Sequence, residues 1–117
     1  MTPKRSKPDR IPTPRHLSPA SKRWFRQVSD NYALEPHHVR LLTLAAESWD
    51  RAAMARESIA KNGLVYKDKF GNPRARPEVA VERDSRLAFA RLLRELGLDA
   101  APPPDAQRPP RVGGWKY

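Results

Sequence analysis

Few residues in this chain have the type and spacing that covalent chemistry requires. Its 117 residues include three histidines, His16, His37 and His38, and no cysteine. Adjacent positions on a helix point about 100° apart, so His37 and His38 cannot share a metal as an i, i+4 pair could. No carboxylate stands four residues from either of them. There is no glycine-rich phosphate loop, no paired-carboxylate constellation, and no spacing that ties serine, histidine and acid into a nucleophile motif. No catalytic residue, metal site or cofactor is therefore expected. What remains is charge. The formal net charge is +10, and residues 1–26 hold Lys4, Arg5, Lys7, Arg10, Arg15, Lys22, Arg23 and Arg26 against Asp9 alone, a net of +7. Those eight cations can neutralise phosphates, and each such contact releases counterions. A nucleic acid is the natural partner and the eight are the expected DNA-binding residues, although a solubilising tail would share the composition.

The elements that must position these cations follow from periodicity. Pro3, Pro8, Pro12 and Pro14 keep residues 1–16 extended as a flexible basic arm. Ser18 suits an N-cap and Pro19 a first helical position, so the first helix starts there, with Trp24, Phe25, Val28 and Tyr32 on one broad apolar face. Cations beside aromatics could stack on bases, but the spacing favours a core role. Residues 29–35 turn the chain into a long helix over 36–61, about 39 Å in length. Pro36 opens that helix and Gly63 ends it. Its apolar positions recur at helical spacing, and Leu42, Ala45, Ala46, Trp49, Ala52 and Ala53 are the expected oligomer interface, with Asp50 on the opposite, polar side. If the two helices read DNA as a helix-turn-helix pair, the reading side chains would be His37, His38, Arg40 and Thr43; a helix of this length is long for that role.

Beyond Gly63 the period changes. Leu64 to Lys67 is β-prone, residues 68–73 are turn-rich, and Arg74 to Arg76 can return as a weak second strand, so a short hairpin is expected at 64–76. Lys67, Lys69, Arg74 and Arg76 sit on it as a second candidate phosphate contact or a merely solvated turn. A last helix begins near Pro77, carries Glu78 and Glu82 in its first turns, and ends at Leu96. There Gly97 provides a left-handed cap and Leu98 folds back on Leu93. Residues 99–117 form a Pro-rich tail ending in Trp115, Lys116 and Tyr117. The expected fold is mainly α: a helical hairpin with one long central helix, a short β-hairpin and a C-terminal helix, within an 82-residue core at 17–98. A core that small buries only roughly 60% of its unfolded surface, and with no disulfide to stiffen it, oligomerisation is the usual remedy. No apolar run approaches the ~18 residues of a membrane span, and the first 16 residues lack a signal-peptide core, so a soluble, intracellular protein is expected.

The ordered set of features resembles a known family. Leu17-Ser18 with Trp24, the Tyr32-Ala33-Leu34 corner, a long helix closed by Asn62-Gly63, a loop with Gly71-Asn72-Pro73, and a final Leu96-Gly97-Leu98 together resemble the short, helical small terminases of tailed bacteriophages. The resemblance covers residues 17–98; Asp99-Ala100-Ala101 depart from the family pattern by separating the final Leu-Gly-Leu from the Pro and Arg that usually follow. It implies a non-catalytic, ring-forming homo-oligomer in the host cytoplasm that binds double-stranded DNA near the packaging start. It also implies a large terminase subunit as partner, carrying the ATPase and nuclease. By this resemblance the hairpin of helices over 18–61 builds the ring, and the tail could dock on the large terminase or the portal. A small DNA-binding transcriptional regulator or nucleoid-type protein is the alternative, and an assembly adaptor with incidental charge is a third.

Overall fold

A computed structural model describes residues 10–98. Three helices and one hairpin follow in order: α1 (Pro19–Asn31), α2 (Pro36–Asn62), β1 (Val65–Lys67), β2 (Pro73–Ala75) and α3 (Pro77–Glu95). The expected mainly helical class with a β-hairpin is what is seen.

Local chemistry sets each boundary. The Ser18 hydroxyl accepts the Ser21 N–H at 3.2 Å, an N-cap bond, with Pro19 at the first helical position. Helix α2 opens at Pro36, and the Glu35 N–H donates to His38 Nδ1 at 3.1 Å, so His38 caps the helix. It closes at Gly63, whose φ of +87° a side chain would resist. At the end of α3 the Leu98 N–H donates to the Leu93 carbonyl and the Gly97 N–H to that of Arg94, with Gly97 at φ +76°: the expected Schellman cap.

Both α1 and α3 run antiparallel to α2. Ser21 reaches Asp50 and the Ala46 carbonyl from α1, while on α3 Glu78 meets Ser58 and Phe89 meets Trp49. The core lies where the first half of α2 meets α1. Leu17, Phe25, Val28, Leu42 and Ala46 are buried together, with Ile11, Trp24, Leu34, Val39, Leu96 and Leu98 packed around them. Ala45, Ser48, Ala52 and Ala55 recur at helical spacing on α2, and their small side chains allow α3 to approach closely.

Three expectations meet a different arrangement in the single chain. Leu42, Ala45 and Ala46, assigned from the sequence to an oligomer interface, have no accessible surface in a single chain, because its own helices cover them. Asp50, expected on a polar outer side, is half-buried against the start of α1. Tyr32 lies past the last turn of α1 in extended backbone and is exposed, so the apolar face of that helix ends at Val28.

Candidate nucleic-acid interface

The basic region is organised by one carboxylate the sequence did not single out. Asp50 accepts the Ser18 N–H at 2.8 Å, the Ser18 hydroxyl at 2.6 Å and the Ser21 hydroxyl at 2.6 Å. Burial pushes its carboxyl up, but the two hydroxyls and the Ser18 N–H outweigh that and hold it below the usual aspartate range. The start of α1 is thereby pinned to the middle of α2.

From that pin the preceding segment runs back along α1. Arg26 donates to the Thr13 hydroxyl at 2.8 Å, and Arg10 forks onto Asp30 with Nε–Oδ1 at 3.2 Å and Nη2–Oδ2 at 2.7 Å. His16 Nε2 lies 2.6 Å from Glu47 Oε2, and Leu17 is buried. The stretch from Arg10 to Leu17 is thus held against the helices, and it carries Arg10 and Arg15 alongside the helix that bears Lys22, Arg23 and Arg26. Five of the eight predicted cations share this edge. The other three, Lys4, Arg5 and Lys7, lie outside the described residues, as does the tail with Trp115.

Asp30 is the single carboxylate of α1. Its hydrogen bond from Arg10 holds it below the usual range, and the same bond raises Arg10. Residues 10–31 still carry a net +4, with Arg15 and Arg23 exposed and Lys22 and Arg26 half-buried. Among the described residues no carboxylate engages Arg15 or Arg23. Among the described residues no group of histidines and carboxylates is placed to hold a metal ion, and no helix is long and apolar enough to cross a membrane.

A second feature joins all three helices. The Phe89 ring of α3 lies 5.6 Å from Trp24 of α1 and 5.1 Å from Trp49 of α2, both tilted. Trp49 is 52% exposed and, with Ala52, Ala53 and Phe89, lines a shallow depression flanked by Arg56 and Arg86. These three of the six predicted interface residues keep surface. The contact of Phe89 with two tryptophans depends on how α3 lies across α1 and α2, which no local pattern encodes.

Together these features define a helical scaffold with one cationic edge and one aromatic depression. The match to known families is specific. Residues 20–103 match the family described as phage terminase, small subunit, which takes in nearly all of α1 and everything through α3. The chain belongs to that family, and its role lies in phage DNA packaging. No curated protein and no solved structure gives a significant match.

Proposed function

We propose that this chain is the non-catalytic subunit of a packaging terminase: it assembles into a ring in the host cytoplasm, binds the viral double-stranded genome and recruits or regulates the large subunit, which carries the ATPase and nuclease. The observation that carries the DNA-binding part is the edge formed by Arg10–Leu17 and α1, where five cations stand with one carboxylate that Arg10 already engages. The predicted set, Lys4, Arg5, Lys7, Arg10, Arg15, Lys22, Arg23 and Arg26, supplies about five phosphate contacts in this reading. Ring assembly draws support from the apolar surface one chain leaves uncovered, in particular Trp49, Leu44, Met54 and Leu87. Trp49, Ala52 and Ala53 are the part of the predicted interface still available to a second copy.

Two measurements test this. Light scattering behind a sizing column gives a ring-sized particle if the reading holds, and a monomer or dimer if the chain is instead a small regulator. Titration against duplex DNA over a salt series gives log K falling with log salt at a slope of roughly −4 to −5 if about five phosphates are neutralised. Charge reversal at Arg15 and Arg23 flattens that slope. An unchanged slope removes this edge from the mechanism.

A further inference from the structure

The β-hairpin carries surface that the helices do not use. β1 and β2 pair antiparallel with Val65 opposite Ala75, Tyr66 opposite Arg74 and Lys67 opposite Pro73, and all six residues are exposed. A two-stranded ribbon is marginal in water unless something fixes it. Here Asp68 does. Its Oδ1 accepts the N–H groups of Phe70 and Asn72, both at 2.9 Å, and its Oδ2 accepts Arg74 Nε at 3.0 Å. Its backbone N–H donates to the Asn72 carbonyl at 3.0 Å, and its carbonyl accepts the Gly71 N–H at 2.9 Å. At the base, Arg76 donates from its backbone to the Leu64 carbonyl at 2.9 Å and from Nε to the Asn62 carbonyl at 3.2 Å. The tip is a turn closed by its own hydrogen bonds.

What this turn presents is one-sided in charge. Residues 63–76 hold Lys67, Lys69, Arg74 and Arg76 against Asp68, and that single carboxylate is already engaged by the turn and by Arg74. Lys67 has no carboxylate on the hairpin left to meet, and the Lys69 ammonium lies 5.1 Å over the Phe70 ring. Phe70, at the tip, is 75% exposed. A cationic ribbon with an aromatic end suits an anionic partner with stacked rings. The major groove of a DNA duplex admits a two-stranded β-ribbon, and its base edges offer thymine methyl groups to an apolar side chain such as Phe. A protein partner adding a strand is poorly served, because each strand has three residues and Pro73 removes a donor from β2.

We infer that this hairpin is a second duplex-DNA contact, in which Lys67 and Lys69 meet phosphates and Phe70 packs against base edges in the groove. The inference rests on the reading of the chain as a DNA-binding subunit and adds a site to it. The test uses the full chain and a DNA duplex of about three helical turns, followed by fluorescence anisotropy across a salt series. K67Q/K69Q lowers the magnitude of the log K against log salt slope by about 2, since two phosphate contacts are lost at roughly 0.9 each. K67R/K69R keeps the slope. F70A weakens binding about tenfold at unchanged slope, because an apolar contact with base edges releases no counterion. Helical circular dichroism and particle mass, unchanged in each variant, show that the fold and assembly are intact. If the wild-type chain ignores DNA, the functional reading itself falls. If it binds and K67Q/K69Q and F70A both behave as wild type, the hairpin is overturned alone. A change of particle mass in K67Q/K69Q, or a loss of large-subunit binding with DNA slope preserved, also overturns it, in favour of a protein contact.

Discussion

The α1–α2 half of this molecule and its β-hairpin are held by opposite means. Around α1, side chains from four parts of the chain converge: Leu17, Phe25, Leu42 and Leu96 fill one core, and Asp50 of α2 ties down Ser18 and Ser21 at the start of α1. The hairpin has almost none of this. Its strands pair with each other, their six side chains stay in solvent, and its shape depends on bonds within residues 62–76. Burial fixes the first region and consumes its surface. Local hydrogen bonding fixes the second and leaves its surface free.

The sharpest way to break the comparison is in the core. Phe25 has no accessible surface, so Phe25→Ala removes a full aromatic ring and leaves a cavity. The expected loss is about 3–5 kcal/mol, read by urea denaturation. Amides of the hairpin should keep their protection in the fraction that remains folded. If Phe25→Ala leaves stability unchanged, the buried cluster is not what holds α1.

Asp50 gives the next largest effect and adds a pH signature. Asp50→Asn weakens three hydrogen bonds to a carboxylate and is expected to cost about 1–3 kcal/mol at pH 7. Because the folded carboxyl titrates below its unfolded value, its contribution is complete above the unfolded pKa of about 3.9 and is lost as pH falls through the folded value. The wild-type chain therefore loses stability on acidification through that range, and Asp50→Asn loses less. Denaturation midpoints at pH 7 and pH 3 measure the difference. Equal acid sensitivity in the two proteins would assign the effect to other carboxylates.

How much of this was legible beforehand follows the same division. Contacts local in sequence could be read: the Ser18 cap with Pro19, the Gly63 stop, the Leu96-Gly97-Leu98 closure and the existence of the hairpin all depend on neighbours a few residues apart. The return strand begins at Pro73, one residue earlier than its sequence suggests, because the Asp68–Asn72 bond closes the turn sooner. Long-range partners could not be read. Asp50 lies 32 residues from Ser18, and Arg10 lies 20 from Asp30; charge alone marks both as surface residues. The alanine-rich stripe of α2 reads from its spacing as a face for another helix. Periodicity does not say whether the approaching helix belongs to the same chain, and for Leu42, Ala45 and Ala46 it does.

Asp68 offers the smallest effect on global stability and the finest test of the contrast. Its carboxyl sits below the usual range, first because of the Asn72 N–H, then Arg74, with burial opposing and the Phe70 N–H assisting. Asp68→Ala removes every one of those side-chain bonds while leaving the helices untouched. The expected result is a nearly unchanged denaturation midpoint together with faster hydrogen exchange at the Phe70 and Asn72 amides, measured by NMR. The substitution also raises the hairpin's net charge by one, so simple electrostatics predicts tighter DNA binding at low salt. A hairpin that must be held in one shape to enter a groove predicts weaker binding despite the added charge, because ordering the loosened turn now opposes association. The sign of that change separates a tip that works by its form from one that works by its charge.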